Sequence, residues 1–178
     1  MTGGRLDLED IQGDILRAYG NAYDCTSYVF VHVDDVAGGR AWLDEVAEHV
    51  TTAAPWTDGK PQTTLNVALT AAGLAALGVA PQIVGTFAFE FRHGMASRAT
   101  LLGDVGLSAP SAWEPGLGTG AAHVLLVVNA QEFEALEHAL GKLRAAVRAA
   151  AGVKIVGEQH AALLPAAREH FGFADGFA

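Results

Sequence analysis

The sequence predicts an α+β fold: a ferredoxin-like sandwich in which a four-stranded antiparallel sheet carries helices on one face. Segments rich in β-branched and aromatic residues alternate with segments whose apolar residues recur at helical spacing. Their order is strand, helix, strand, short helix, strand, helix, strand. Two strand–helix–strand units with right-handed crossovers give this sandwich.

The first unit begins with a strand at residues 28–33, which are β-branched or aromatic apart from one histidine. Acidic residues and glycines within residues 34–39 predict a turn. Apolar residues then recur at helical spacing over residues 42–50, until Pro55 breaks the pattern. A second strand is predicted at Thr63–Leu69.

The second unit follows a short helix that Thr70 is predicted to cap and Gly78 to end. A third strand is predicted at residues 123–128. Asn129 is the predicted cap of the next helix, with Glu132 at the capping-box position. One apolar stripe marks that helix: Phe133, Leu136, Leu140, Leu143 and Val147. A fourth strand starts at Val153 and runs toward Leu164.

Residues 80–121 show weak periodicity, and their second half is dense in glycine and proline. Compact domains seldom contain this much irregular chain unless it is functional or packs on another structure. We therefore expect this stretch to serve a site or an interface.

Both faces of the central strands are apolar. In the first strand the valines alternate with Tyr28, Phe30 and His32, and in the third strand His123, Leu125 and Val127 lie on the second face. A sheet face in contact with water alternates polar residues instead. The helix-free face is therefore expected to pack against a second domain, a subunit or a large flat cofactor.

Composition excludes several classes of function. There are 11 Lys and Arg against 20 Asp and Glu, a net charge of −9, whereas a nucleic-acid site needs a basic surface. No apolar run approaches the roughly 18–20 residues of a membrane span. The single cysteine, Cys25, excludes a cysteine-built metal site within the chain. Residues 1–7 show no export signal, so a cytoplasmic location is expected.

No metal site is predicted from the histidines and carboxylates. Glu134, Glu137 and His138 lie close together on the polar side of the last helix, which favours a solvated face over a carboxylate metal site. The seven histidines are scattered, and no pair has the spacing of two ligands on one helix.

The C-terminal residues carry the strongest candidate chemistry. Asp175 is the only charged residue after Glu169, and three phenylalanines surround it in sequence. Asp175 and Gly176 also fit an ordinary turn. In an apolar pocket, however, the pKa of a carboxyl group rises toward values useful for proton transfer. Flanking glycines let the backbone approach a flat ligand.

Three segments resemble the dye-decolorizing peroxidase family of haem proteins, in that family's order and spacing. Residues 10–16, Asp-Ile-Gln-Gly-Asp-Ile-Leu, resemble its opening segment. Residues 91–95, Phe-Arg-His-Gly-Met, with Arg98 and residues 102–104, Leu-Gly-Asp, resemble its middle loop. Residues 169–176, Glu-His-Phe-Gly-Phe-Ala-Asp-Gly, resemble its G-x-x-D-G signature.

The resemblance implies a peroxidase built from two ferredoxin-like halves that holds haem b mostly in the second half. It implies that Asp175 takes a proton from hydrogen peroxide and returns it to the departing oxygen, while dyes, phenols or other small aromatic reductants supply electrons. The residues adjacent to Asp175 would line or abut the haem: Phe173, Ala174, Gly176 and Phe177.

The family's proximal histidine and distal arginine lie beyond the signature, so we assign no iron ligand, and His170 is not one. Residues 1–178 are therefore expected to form a single N-terminal domain, inactive alone, of a peroxidase whose haem-ligating domain is absent here. A non-catalytic module that dimerises through its apolar sheet face, as a homo-oligomer, is the alternative. A ferredoxin-like monooxygenase shares the fold but lacks the Asp175 signature.

Overall fold

The computed structural model describes residues 6–17, 19, 23–114, 117, 120–164, 168 and 170–173. The strands in these ranges are β1 at Cys25–Val33, β2 at Thr63–Leu69, β3 at Val124–Ala130 and β4 at Val153–Ala162. They form one sheet in the order β2-β3-β1-β4, and every neighbouring pair is antiparallel. This is the arrangement of the predicted ferredoxin-like sandwich, which is confirmed.

The helices of the described ranges differ greatly in length. The two long ones are α2 at Val36–Ala47 and α7 at Phe133–Ala149. The short ones are α1 at Gly13–Leu16, α3 at Ala71–Ala76, α4 at Pro81–Val84, α5 at Phe89–His93 and α6 at Ala99–Leu102, with 3₁₀ turns at Ala96–Arg98, Gly106–Ser108 and Pro110–Ala112. None of the helices in the described ranges combines the length and apolar character that crossing a bilayer requires.

The hydrophobic core lies between the sheet and the two long helices. Strands β1 and β3 contribute alternate residues, and α2 and α7 contribute the facing apolar stripes. The largest fully buried apolar side chains are Trp42, Leu126, Leu136 and Leu140. This burial supplies most of the favourable free energy of the fold. It also fixes which face of each strand points away from the helices.

Helix α2 begins earlier than the sequence predicted. Residues 34–39 were predicted as a turn, but the helix starts at Val36, where the Asp35 carboxylate accepts a hydrogen bond of 2.7 Å from the Gly38 backbone N–H. A Cβ atom at Gly38 would overlap the carbonyl group of Ala151. The glycine therefore permits a close approach between α2 and the turn after α7.

The predicted cap at Asn129 is wrong, because Asn129 belongs to β3 and α7 is preceded by Glu132, which makes no side-chain capping bond. Asn129 instead joins three strands. Its Oδ1 accepts a hydrogen bond of 2.8 Å from Thr26 on β1, and its Nδ2 donates one of 3.0 Å to Thr64 on β2. The cap at Thr70 is confirmed, since its hydroxyl accepts from the Gly73 N–H at 2.9 Å.

Residues 10–16, called the opening segment from here on, cover the edge strand β2. The Gln12 side chain donates to the Val67 carbonyl at 2.8 Å and accepts from the Val67 N–H at 2.7 Å. Thr51 covers the next part of the same edge, because its backbone N–H donates a hydrogen bond of 2.8 Å to the Leu65 carbonyl. An uncovered edge strand is a template for pairing with another chain. Gln12 thus extends the sheet by one side chain.

Gly13 and Asp14 complete the attachment of this segment. The Gly13 N–H donates to the Thr51 carbonyl at 2.8 Å, and the Asp14 carboxylate accepts from the Asn66 amide at 3.0 Å. A Cβ atom at Gly13 would lie 2.9 Å from the Thr52 carbonyl oxygen and would also overlap the Tyr19 hydroxyl. These contacts account for the residue types at positions 12–14: an amide that pairs with β2, a glycine in a tight space and a carboxylate that binds Asn66.

We predict that Gly13→Ala lowers the free energy of unfolding by about 1–3 kcal/mol, because backbone must move to admit the new methyl group. The matched control is Gly141→Ala on α7, where a Cβ atom meets no atom within 4 Å. This control should gain about 0.5–1 kcal/mol from helix propensity. Urea unfolding of both variants measures the difference, and equal effects would contradict the close packing at Gly13.

Candidate functional site

One of the five predicted site residues falls within the described residues. Phe173 is 73% exposed, and Phe171 is 63% exposed. Their ring centroids lie 6.0 Å apart, and Gly172 between them has a φ of +93°. Ala174, Asp175, Gly176 and Phe177 lie outside the described residues. The described part of the signature therefore presents two apolar rings to its surroundings.

The second candidate is the open face of the sheet, defined as the face of β1 to β4 that points away from α2 and α7. Its centre is apolar, because Tyr28 lies opposite Val127, and Phe30 lies opposite Leu125 in the β1–β3 register. All four side chains are half-buried. In the same strands, alternate residues on the helix side are almost completely buried. Neither long helix covers this apolar centre, as the sequence predicted.

A polar row closes one end of the open face. Thr26, Asn129 and Thr64 occupy the same register position on three adjacent strands and are joined by the two hydrogen bonds of the Asn129 amide. Thr64 and Asn66 are 1% exposed although no long helix covers them. Burial here comes from the opening segment, whose Asp14 binds Asn66. The opening segment thus limits how far any partner extends along the open face.

Two histidines close the other end. His32 of β1 and His123, which directly precedes β3, stack with ring centroids 4.1 Å apart and planes 26° apart. Nδ1 of His123 accepts a hydrogen bond of 3.1 Å from the Val33 backbone N–H. Burial, and next the neighbouring His32, lower the pKa of His123 below its ordinary value. The sequence placed both histidines on this face but did not predict their contact.

The predicted irregular stretch forms an apolar excursion, defined here as residues 80–113. It consists of short helices and turns joined by glycines in the left-handed region, Gly94 and Gly103 among them. Large apolar side chains are exposed along its whole length: Ile83, Phe87, Phe89, Phe91, Met95, Leu101, Leu102, Val105 and Leu107. Apolar surface concentrated in this way marks an interaction site. The expectation that the stretch packs on another structure is consistent with this exposure.

The helix side of the sheet carries a groove of about 810 Å³ between α2 and α7. Glu45 of α2 and His49, just after α2, line one side of it, and Glu134 and His138 of α7 line the other side. Glu137 instead pairs with Arg144 at 3.2 Å. No group of three or more histidine, cysteine or carboxylate side chains suited to a metal ion occurs among the residues whose placement is described.

Arg144 links α7 to β4. Its guanidinium donates to both carboxylate oxygens of Glu158, at 2.6 and 3.0 Å. The hydrogen bonds to Arg144 lower the pKa of Glu158, although partial burial opposes the shift. The same bonds raise the pKa of Arg144, so the pair stays ionised at neutral pH. Arg144 and Glu158 therefore stabilise the packing of α7 against β4 and are not part of the open face.

Comparisons with known proteins place these features in a family. Residues 10–159 match the model of the DyP dimeric alpha+beta barrel domain. The chain is 29% identical over 177 residues to a dye-decolorizing peroxidase of Mycena epipterygia, and 32% identical over 183 residues to Peroxidase 2 of Mycetinis scorodonius. Each alignment covers 96% of this chain and 32% or 33% of the relative.

Solved structures show the same fold. A fungal DyP-type peroxidase from Auricularia auricula-judae superposes with a TM-score of 0.78 at 23% identity, over 98% of this chain and 38% of that chain. A dye-decolorizing peroxidase engineered in its heme pocket for asymmetric sulfoxidation gives a TM-score of 0.76 at 24% identity, over 97% of this chain and 38% of that chain. The chain thus spans about a third of the length of the relatives it matches.

We predict that two neighbouring leucines of β3 respond differently to truncation. Leu126 is fully buried on the helix side, so Leu126→Ala should lower the free energy of unfolding by about 2–5 kcal/mol. Leu125 is half-buried on the open face, so Leu125→Ala should cost about 1 kcal/mol and reduce the binding of an apolar fluorescent dye. Urea unfolding and dye titration measure both effects. Equal losses of stability would contradict the assignment of the faces.

Proposed function

This chain belongs to the family of the DyP dimeric alpha+beta barrel domain, and from that membership we propose that it is the N-terminal domain of a haem peroxidase. Residues 1–178 would form that single domain, and the haem-ligating domain would lie in the part of the relatives that this chain does not span. The proposed reaction oxidises dyes, phenols or similar small aromatic reductants with hydrogen peroxide. This proposal rests on the alignments to two fungal peroxidases, which are 29% and 32% identical to this chain and cover 96% of it.

The apolar open face supports a second ferredoxin-like domain as its partner. Phe30 and Leu125 lie side by side at its centre and are only half-buried in this chain. A covering domain would remove this surface from water, which is favourable by roughly 25 cal/mol for each Å² of apolar area. The exposed side chains of the apolar excursion would be covered by the same association.

The residues present fit a flat apolar cofactor at the C-terminal signature. Phe171 and Phe173 present exposed rings, and a Cβ atom at Gly172 would meet no atom within 4 Å. Apolar rings and bare backbone are suited to contact with a porphyrin plane. Phe173, Ala174, Gly176 and Phe177 would abut haem b, which when bound supplies the iron that activates peroxide.

Asp175 is the proposed proton carrier. Its carboxylate would accept a proton from hydrogen peroxide and then donate it to the departing oxygen. This task requires a pKa near the working pH, and apolar neighbours raise a carboxyl pKa in that direction. The flanking Phe173 and Phe177 are the neighbours that the sequence supplies.

The iron ligand is proposed to lie outside this chain. His32 has both ring nitrogens against oxygen atoms, and Nδ1 of His123 accepts from a backbone N–H. His170 belongs to the signature segment itself, which would place it on the same side of the haem as Asp175. As the family resemblance implies, a histidine in the part of the relatives that this chain does not span would hold the iron.

We predict that Asp175→Asn in the full-length peroxidase leaves haem content unchanged but slows the reaction with peroxide by about 10²–10⁴-fold. The amide keeps the shape of the side chain but cannot carry the proton. Stopped-flow absorbance in the Soret region measures the rate. The matched control is Asp44→Asn on the exposed surface of α2, which should react at the parent rate. Parent-like rates in the Asp175 variant would refute the assigned role.

We predict that the 178-residue chain alone binds haem negligibly and has no peroxidase turnover, because the iron ligand and most of the pocket are proposed to lie in the second domain. Haem titration followed at the Soret band measures binding, and co-expression with the C-terminal part of the same protein should restore it. A stoichiometric Soret band in the chain alone would contradict the proposed division of the site.

A further inference from the structure

We propose that the stacked pair His32–His123 is a pH-sensitive latch that fastens the chain returning from the apolar excursion to strand β1, and that acid releases it. Residues 121–123 form the fastened segment. The latch does not depend on peroxidase activity, since it is built from groups of this chain alone. It makes the contact between the returning chain and β1 depend on pH at one end of the open face.

The first part of the latch is the hydrogen bond from the Val33 N–H to Nδ1 of His123, at 3.1 Å. The β1–β3 ladder pairs Val31 with Val124, so this side-chain acceptor continues the ladder beyond its last paired residues. The His123 backbone also donates to the Val31 carbonyl at 2.8 Å. A nitrogen that accepts carries no proton, so the bond requires a neutral His123 ring protonated at Nε2.

The second part is His32, which holds the returning chain directly. Its Nδ1 lies 2.6 Å from the Ala121 carbonyl oxygen, and its Nε2 lies 2.9 Å from Oδ1 of Asp34. Both partners are acceptors, so only the doubly protonated ring donates to both. The other Asp34 oxygen binds the Lys154 ammonium at 2.8 Å. The closed latch therefore requires a neutral His123 ring, whereas a proton on His32 does not break either of its two contacts.

Protonation of His123 disrupts this arrangement in two ways. A proton on Nδ1 of His123 removes the acceptor of the Val33 N–H. It also places a positive charge on a ring stacked 4.1 Å from His32, with Lys154 as a cation nearby and Asp34 as the anion that faces the pair. The unfolded chain takes up this proton more readily than the folded one. Stability is therefore lost as pH falls below about 6.5, and the loss levels off once the folded His123 is itself protonated.

Release of the latch loosens the base of the excursion. Thr70 also grips the returning chain, with its hydroxyl donating to the Ala122 carbonyl at 3.0 Å and its N–H donating to the His123 carbonyl at 3.0 Å. These bonds do not titrate, and neither does the bond from the His123 N–H to the Val31 carbonyl. Acid therefore frees the His123 ring from Val33 and leaves the backbone of residues 121–123 attached.

Nitrogen-15 NMR of the whole chain tests the latch directly. At a pH of about 8 the Val33 amide nitrogen should show a scalar coupling to Nδ1 of His123, carried by the hydrogen bond between them. This coupling should vanish on acidification to about 5, while the Val33 amide loses protection from exchange. A coupling that persists in acid would overturn the proposal. So would a protonated Nδ1 on His123 at a pH of about 8.

Three variants separate the latch from a general acid effect. His123→Gln removes the titrating ring and should abolish the acid-dependent loss of protection at Val33. His32→Phe keeps a stacked ring without charge and should raise the midpoint of that loss by about one pH unit. His138→Gln, on the exposed side of α7, should leave it unchanged. An acid transition that survives in His123→Gln, or a midpoint unmoved in His32→Phe, would overturn the proposal; urea unfolding at a pH of about 8 verifies that each variant folds.

Discussion

The one-sided cover of the sheet is the constraint on which the rest of the molecule depends. Helices α2 and α7 bury one face of four antiparallel strands, while the opposite face keeps an apolar centre around Phe30 and Leu125. Contact of such a face with water is unfavourable, so the face favours association with a second layer. The exposed side chains of the apolar excursion add further apolar surface that is unfavourable in contact with water. Each feature favours a domain that functions as part of a larger protein.

The two ends of the open face are built differently, and each difference has a physical consequence. At one end the opening segment fixes itself to the edge strand through Gln12, whose amide pairs with Val67 as a strand would. Neutral amides hold at any ordinary pH, so this end is permanent. At the other end the bonds pass through the rings of His32 and His123, and the proposed latch depends on Nδ1 of His123 being free of a proton. The proposed covering domain would therefore meet one end held by neutral amides and one end whose bonds depend on pH.

Much of the fold could be predicted from the sequence, because alternation in the strands and the helical stripe of α7 are local patterns. Strand β2 was predicted with its observed bounds at Thr63–Leu69. Asn129 misled, since a capping residue and a cross-strand bridge have the same side chain and differ only in tertiary contacts. Gly38 led to the incorrect prediction of a turn for a related reason, because a glycine needed for close packing cannot be told from a turn glycine in the sequence alone.

Less of the candidate site could be predicted. Alternation placed His32 and His123 on one face, but their stacking depends on which strands are neighbours, and that order is a property of the whole sheet. Gln12 gave no local signal, because its partner lies 55 residues away. The assignment of Asp175 came from a resemblance together with its apolar neighbours in sequence, and it stays a prediction.

A crystal structure of the full-length, haem-loaded protein tests the central claim most directly. We expect the open face around Phe30 and Leu125 to be covered by the second domain, and the Asp175 carboxylate to point toward the haem. An Asp175 side chain directed into bulk water would contradict the account. An open face left bare in the complete protein would do the same.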